Sequence, residues 1–242
     1  MSKCIFLAGA SGAIGRRLSP MLVESGYWVV GSTRSKDKEE LLRKMGVAPV
    51  VVNVFDADEL RDCLAQVKPE VVIHQLTDLP YALEESKMKD APERNARLRD
   101  EGTRNLAAAA IGAGAKRMIA QSISFIYDEG TPPYDETCPL LTVTHPVYGR
   151  TAAGVRSLEQ QVLEAPIEGI VLRYGFFYGP GTGFDAPVAP GSVHVDAAAR
   201  AAQLVVTQGK PGIYNIAEMD GPVLCDKAVA DFGWDPSWRI PA

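Results

Sequence analysis

The sequence predicts an α/β fold, a Rossmann-type doubly wound parallel sheet with helices on both faces. Short apolar runs rich in Val and Ile alternate with segments of helical character, which implies right-handed βαβ units. The runs are nearly continuous rather than alternating in polarity, which is typical of strands buried on both faces. The first run ends in a glycine-rich turn that opens a helix, as in dinucleotide-binding sheets.

Six segments are predicted as strands and five as helices. The strands are residues 4–8, 28–32, 50–54, 71–76, 117–121 and 169–174. The helices are residues 14–24, 57–66 (after the N-cap candidate Asp56), 93–114, 151–164 and 195–208. Proline-rich segments at 128–146 and 179–191 follow strands. In open α/β sheets, loops at the carboxyl ends of strands hold the ligands.

Composition and charge limit the class of protein. Of the 242 residues, 46% are hydrophobic and 23% charged, which excludes a disordered chain. The pattern predicts one NAD(P)-binding domain over residues 1–242, with a small substrate-side portion from about 176–242. A net charge of −5 argues against nucleic acid as a partner, because no basic excess is present to neutralise phosphates.

The N-terminus and the cysteines predict a cytoplasmic location. The first apolar run is too short for a signal peptide, and no run approaches the length of a membrane span, so no membrane partner is expected. Four scattered cysteines without a CxxC pair are typical of a reducing compartment. They are Cys4, Cys63, Cys138 and Cys225.

Three glycines at GxxGxxG spacing lie between the first strand and the first helix. A tight turn at Gly9, a bare backbone at Gly12 and close helix–strand packing at Gly15 are what a pyrophosphate site requires. The N–H groups at the start of the helix would then face the phosphates. The predicted cofactor contacts in this turn are Gly9, Ser11, Gly12, Ala13, Ile14 and Gly15.

The end of the second strand favours NADP(H) over NAD(H). NAD-binding sheets usually carry an acidic residue there, whereas residues 31–34 read Gly-Ser-Thr-Arg and no carboxylate appears before Asp37. The planar fork of Arg34 suits a 2′-phosphate, with Thr33 beside it and Arg16 as a helper. The alternative is a solvated surface arginine.

Further motifs carry a family resemblance. They are residues 53–56, 71–77, 101–106, 173–181 and 193–196, in that order. From residue 3 to about 217 the chain resembles the short-chain dehydrogenase/reductase superfamily, in its extended or atypical branch, the NAD-dependent epimerase/dehydratase family. Asn53 stands where the family usually has Asp, and Arg99 where an Asn is common. The resemblance implies cofactor contacts at Asn53, Val54, Leu76, Thr77, Tyr148, Tyr174, Gly175 and Phe176.

The resemblance also implies a catalytic Tyr, a Lys four residues later that lowers the pKa of the Tyr and holds the cofactor ribose, and a Ser or Thr that binds the substrate oxygen. Tyr148 takes the first position, but Ala152 stands where the Lys belongs. A phenol without help ionises only near pH 10, so it is a poor base at neutral pH but can still donate a proton to a developing alkoxide. Arg150 and Arg156 are the alternative sources of positive charge.

The serine is ambiguous. Residues 121–127 resemble the end of the family's fifth strand, and the usual serine position falls on Ile123. Ser122 and Ser124 flank it, and Ser122 is preferred because it directly follows the apolar run. Backbone capping is the alternative for both serines. His145 and the loop residue Tyr81 are candidates for a substrate pocket, and the three scattered histidines predict no metal site.

The resemblance implies an NAD(P)-dependent oxidoreductase acting on a carbonyl or alcohol of a small molecule. A nucleotide-sugar epimerase or dehydratase is the alternative, disfavoured because only residues 182–192 separate the strand-six motif from the next one. A non-catalytic NADP(H)-binding sensor or regulatory protein is the second alternative, raised by Ala152. The expected partners are a small-molecule substrate and a second copy of the chain, pairing through residues 93–114 and 151–164 as a homodimer.

Overall fold

A computed structural model describes residues 3–241. Seven parallel strands form one sheet. They are β1 (Cys4–Ala8), β2 (Trp28–Thr33), β3 (Ala48–Val51), β4 (Val71–His74), β5 (Arg117–Ile123), β6 (Glu168–Tyr174) and β9 (Gly212–Ile216). β7 (Phe177–Tyr178) and β8 (Val193–His194) form a separate parallel pair. The order β3-β2-β1-β4-β5-β6-β9 reverses direction between β1 and β4, where such sheets bind ligands.

Helices cover both faces of the sheet. They are α1 (Ala13–Glu24), α2 (Glu39–Lys44), α3 (Ala57–Val67), α4 (Ala91–Arg97), α5 (Thr103–Gly112), α6 (Gly149–Leu163), α7 (Val195–Leu204) and α8 (Asp226–Phe232). α1 packs beside α7 on one face and α3 beside α5 on the other. In residues 3–241 no helix combines the length and apolarity needed to cross a bilayer.

The predicted fold class is confirmed, and β1 shows why. Its side chains alternate between the two apolar clusters, with Ile5 and Leu7 in one and Phe6 in the other, so every residue of the strand is buried. That double burial produces the continuous apolar run in the sequence. The strand therefore needs no amphipathic alternation to be recognised.

Several element boundaries differ from those predicted. The third strand covers Ala48–Val51 rather than 50–54, and the fifth runs on to Ile123, beyond the predicted end at 121. The long helix predicted at 93–114 is interrupted by a π-helical turn, Leu98–Gly102, between α4 and α5. α2, β9 and α8 were not predicted; the two helices are only six and seven residues long.

Candidate cofactor and active site

The glycine-rich turn has the shape of a phosphate cradle. Gly9 follows β1 with φ of +88°, in the left-handed region that favours glycine. A Cβ at Gly15 would overlap the carbonyl oxygen of Gly9, so only a glycine lets α1 pack against the turn. A Cβ at Gly12 would meet only that same oxygen, at 3.3 Å, and Gly12 is exposed. The turn therefore presents an open backbone face at Gly12.

The start of α1 is electrostatically suited to an anion. Gly12 is the N-cap and supplies no side-chain acceptor, and the first turn contains no acidic residue. The orphan N–H groups of that turn are thus available to a ligand. Ala13 opens the helix, the Ser11 carbonyl accepts a bond from Arg16 Nε at 3.0 Å, and Ile14 points into the core. Gln75, next to the turn, is buried with both amide atoms unpartnered within residues 3–241.

A cleft adjoins the turn at the carboxyl ends of β1 to β4. Most of its wall is apolar, with polar groups from the end of β2 and the start of the loop after β4, a lining suited to an adenosine. Its wall includes the predicted cofactor residues Thr33, Arg34, Val54, Leu76 and Thr77. Asn53 is exposed outside this wall, and its side-chain oxygen accepts a bond from the Phe55 N–H at 3.2 Å.

The end of β2 carries a cation and no carboxylate. The Arg34 side chain is 55% exposed, and its guanidinium lies 3.7 Å from the Asp78 carboxylate, which Arg94 also approaches at 3.8 Å. Asp37, the first acidic residue after β2, is hydrogen-bonded to the Ser35 hydroxyl. The cleft rim at β2 is therefore positive.

The residues after β6 divide between core and edge. Tyr174 is fully buried and donates to a carbonyl on α7 at 3.3 Å, and burial raises the pKa of its phenol. A Cβ at Gly175 would overlap the carbonyl oxygen of Gly191. Phe176 stacks on Phe125 with ring centres 3.9 Å apart and planes 10° apart. Of the three predicted contacts, Phe176 is the one that presents a side chain at the ligand edge.

Tyr148 lies just before α6 and is 53% exposed. Its N–H donates to His145 Nδ1 at 3.0 Å, and the two rings stack with centres 5.4 Å apart. His145, a candidate for the substrate pocket, therefore positions the Tyr148 backbone and ring. Ala152, one turn along, is fully buried in the same apolar cluster as Ile123. Both positions at which the family resemblance implies polar catalytic groups are thus packed apolar sites.

The two arginines that the sequence offered as replacement charges are engaged elsewhere. Arg150 forms an exposed ion pair with Glu93, with both N–O distances 2.6 Å. Arg156 donates to the carbonyl oxygens of Leu140 and Leu141 at 2.6 and 3.1 Å. Neither guanidinium is directed to Ala152 by these bonds.

Ser122, the serine preferred from the sequence, belongs to a buried polar network. Its hydroxyl donates to Glu159 Oε1 at 2.7 Å, and Arg173 holds both oxygens of that carboxylate at 2.9 and 2.7 Å. Arg173 also donates to the Tyr127 hydroxyl at 2.9 Å, which donates to Asn215 Oδ1 at 2.7 Å. These bonds give the Ser122 hydroxyl a place in the core between β5, β6 and α6.

Ser124 has a different environment. It follows β5, and its N–H donates to the Tyr174 carbonyl at 2.9 Å. Within residues 3–241 its hydroxyl makes no hydrogen bond, and it directly precedes Phe125, which is 45% exposed. The two serine candidates therefore differ: the Ser122 hydroxyl is bonded to Glu159, whereas Ser124 is 5% exposed and its hydroxyl has no protein partner within the described residues.

Sequence reasoning missed Arg99 as a site residue, although it noted the departure from Asn. Arg99 lies on the π-helical turn, is 6% exposed, and its side chain makes no hydrogen bond within the described residues. Burial lowers the pKa of Arg99 to about 10. His74 is fully buried beside it, bonded to Thr103 Oγ1 at 3.1 Å, and burial together with the Arg99 charge lowers the pKa of His74 to about 4.

Similar proteins share this architecture. A family model described as the NAD dependent epimerase/dehydratase family matches residues 5–193. A 3-diazoavenalumate denitrifying reductase from Streptomyces sp is 37% identical over 185 residues, 74% of this chain and 58% of that protein. A UDP-N-acetyl-alpha-D-glucosaminuronate decarboxylase from Bacillus cytotoxicus is 29% identical over 195 residues, 74% of this chain and 56% of that protein. The chain thus spans less than three fifths of the length of both relatives.

A solved structure confirms the fold over nearly the whole chain. The UDP-glucose 4-epimerase of Thermotoga maritima, crystallised with UDP-glucose, superposes with a TM-score of 0.76 at 20% identity, covering 97% of this chain and 94% of that one. The resemblance stated from the motifs is confirmed by the family match. The chain belongs to the NAD-dependent epimerase/dehydratase family.

Proposed function

We propose that the chain binds NADP(H) and reduces a small, planar electrophile. The observation that carries the proposal is the open backbone face at Gly12, beside an apolar cleft that ends at Arg34. The face suits a diphosphate, the cleft an adenosine, and the exposed guanidinium a 2′-phosphate. The residues present therefore fit the cofactor.

The cofactor supplies a hydride from its nicotinamide, and the chain supplies binding and a proton. The exposed Tyr148 phenol donates a proton to the acceptor, and the Ser124 hydroxyl orients the acceptor. Because position 152 is an apolar alanine, nothing there helps to remove the phenolic proton. The site is therefore better suited to donating a proton, in reduction, than to accepting one, in oxidation.

The acceptor is an aromatic carbonyl or diazo compound. The stacked rings of Phe125 and Phe176 form a flat apolar surface at the ends of β5 and β6, and aromatic groups stack on such surfaces. The relative at 37% identity is named as the denitrifying reductase of a diazo compound. Reductive loss of nitrogen from a diazonium carbon needs a hydride and no proton on an alkoxide, so it suits a site with Ala152.

Epimerisation or dehydration of a nucleotide sugar is the second candidate, favoured by the names of the decarboxylase and epimerase relatives. That chemistry needs a base that removes a hydroxyl proton while the cofactor is reduced and then reoxidised. Ala152 weakens this candidate for the reason given above. A non-catalytic sensor remains the third candidate, and turnover separates it from both enzymes.

The test combines binding and turnover. NADPH and NADH are titrated by fluorescence, and loss of reduced-cofactor absorbance is followed with aryl aldehydes, aryl ketones and an aryl diazonium salt, each with a no-enzyme control. We expect tight NADPH binding and turnover of at least one class. Tyr148→Phe should slow carbonyl reduction by removing the proton donor. Tight binding with no turnover of any acceptor would contradict the reductase and favour the sensor.

We also propose that two copies pair through α4, α5 and α6, and that the protein is cytoplasmic. The sequence motivates the first through its two longest helical segments and the second through its cysteine pattern. Light scattering of the purified chain tests the pairing: a monomer at micromolar concentration would contradict it. Imaging of a tagged chain in its native cell tests the location.

A further inference from the structure

We propose that Arg99 holds the nicotinamide-side ribose of the cofactor, in place of the lysine that the family resemblance implies at position 152. The inference rests on the proposed cofactor binding. It concerns a pair of departures from the family pattern, an Arg for an Asn at 99 and an Ala for a Lys at 152. Together they move one positive charge from α6 to the π-helical turn.

Arg99 is a buried cation without a protein acceptor. Its side chain is 6% exposed and makes no hydrogen bond within residues 3–241. Within the described residues, the side-chain atoms that have neither solvent contact nor a hydrogen-bond partner are Ser19 Oγ, the Gln75 amide atoms and Gln161 Oε1. The Arg99 nitrogens do not belong to this group. The guanidinium nitrogens therefore keep a small solvent-accessible surface and no protein acceptor, whereas buried donors of this kind are normally hydrogen-bonded.

The charges around Arg99 do not balance. Glu159 is the neighbouring carboxylate, but Arg173 already binds both of its oxygens and Ser122 binds one. His74, the other titratable neighbour, is neutral because its pKa is about 4. Two guanidinium groups thus share one carboxylate, which leaves one buried positive charge in excess. A buried excess charge is costly unless an external group accepts its hydrogen bonds.

The position of Arg99 points to the cofactor as that group. The preceding residue, Leu98, lines the cleft assigned to the adenosine. The next residues on the sheet-facing side are Asn95, which accepts a bond from Asp78 after β4, and Thr103, which contacts His74 on β4. Arg99 therefore lies between a residue of the adenosine cleft wall and Glu159 on α6, the helix that carries Ala152, and on this placement we assign it to the second ribose of the dinucleotide.

An arginine preserves only part of what a lysine does. A guanidinium binds oxygen acceptors through several N–H groups but stays protonated throughout the physiological range, so it does not pass protons on. Arg99 is accordingly a positioning residue that holds the cofactor and provides no proton relay. The Tyr148 phenol is then left to deliver one proton per reduction.

The test compares NADPH with a ligand that lacks its second phosphate, its nicotinamide ribose and its nicotinamide. NADPH carries this ribose, whereas adenosine 2′,5′-bisphosphate lacks it and retains the groups assigned to the cleft and Arg34. Arg99→Asn should weaken NADPH by about 10- to 100-fold, the loss of one or more charged hydrogen bonds, and leave the bisphosphate within about twofold. Arg34→Ala should weaken both ligands. Arg104→Gln, on α5 just after the π-helical turn but exposed and paired with Asp100, is the matched control and should weaken neither.

A charge-moved variant tests the exchange itself. Arg99→Asn combined with Ala152→Lys restores the family arrangement and should recover part of the NADPH affinity lost in Arg99→Asn. Thermal unfolding checks that each variant folds, and if Arg99→Asn does not, the neutral Arg99→Gln is measured in its place with the same two ligands. An equal loss on both ligands, or no loss on either, overturns the inference.

The reductase proposal and the Arg99 inference fail in different ways. The Arg99 test measures dissociation constants only. A wild-type chain that binds NADPH and reduces nothing therefore contradicts the reductase, while a loss of NADPH affinity confined to Arg99→Asn still supports the inference about Arg99. A wild-type chain that binds neither ligand overturns both.

Discussion

Replacing Gly12 by Ala should separate cofactor binding from stability. Gly12 has φ of −75° and ψ of 178°, an extended conformation open to any residue. The added Cβ would meet a single atom, the Gly9 carbonyl oxygen, at 3.3 Å. The folded chain can therefore accommodate the methyl group, but that group would occupy the face on which we place the diphosphate.

The two effects differ in size. Alanine is a poorer N-cap than glycine by about 0.5–1 kcal/mol, which for a chain of this length lowers Tm by only about 2–4 °C. Loss of one charged hydrogen bond to the diphosphate costs about 1.5–3 kcal/mol, equivalent to about 10- to 150-fold weaker NADPH binding. Affinity should thus collapse while the protein remains folded.

Fluorescence titration of NADPH and thermal unfolding measure the two effects. Gly112→Ala is the control, because a Cβ at the end of α5 meets no atom within 4 Å, so NADPH affinity should stay at wild type and Tm should not fall. Gly15→Ala should instead destabilise the fold, since its Cβ overlaps the turn. If Gly12→Ala binds NADPH with wild-type affinity, the diphosphate does not lie on this turn.

Three further predictions follow from buried and exposed side chains. Ser122→Ala should lower the free energy of unfolding by about 1–3 kcal/mol without changing NADPH affinity. Ser124→Ala should slow turnover and leave Tm unchanged. Thermal melts and steady-state rates measure the two effects, and the reverse pattern would refute the assignment. In the unfolded chain His74 is protonated below the ordinary pKa of histidine, whereas in the folded chain it stays neutral down to about pH 4. The free energy of unfolding should therefore fall by up to about 3 kcal/mol as the pH is lowered through this window. His74→Gln should flatten that pH dependence in denaturant titrations, and an unchanged slope would exclude His74 as the source. Phe125→Ala should raise KM for aryl acceptors more than for small aliphatic aldehydes, and equal changes would show that the Phe125–Phe176 pair is not the substrate surface.

The strands were predictable where they consist of buried apolar residues. They were less predictable where a buried polar side chain forms its hydrogen bond with a residue far away in the sequence. β1 lies inside the sheet, between β2 and β4, and is apolar throughout. β5 was predicted to end at Gln121, yet the strand pairs with β6 as far as Ile123, and the buried Ser122 hydroxyl is satisfied by Glu159. The partner is 37 residues away in the chain, so no local pattern reveals it.

The same distinction separates the two halves of the site. The roles of Gly9, Gly12 and Gly15 follow from local backbone geometry, so their spacing is enough to predict the turn. Arg99 stands out because it lies near His74 on β4 and Glu159 on α6, and because Arg173 already binds the Glu159 carboxylate. Such long-range polar pairing becomes visible only when the chain is folded.

The arrangement of charge around Tyr148 supports the proposed reductase over the nucleotide-sugar epimerase. A sugar epimerase must remove a hydroxyl proton and return one within each turnover, which requires a phenol that ionises readily. Here the position one turn after Tyr148 is an apolar alanine, and the buried excess cation is an arginine, which binds oxygen but does not exchange protons at neutral pH. A reductase needs only to hold the cofactor and donate a proton, and a diazonium acceptor does not need even the proton. This chain has Ala at position 152 where the family has Lys, and Arg at position 99 where the family commonly has Asn. The two replacements together therefore favour hydride delivery over reversible proton transfer.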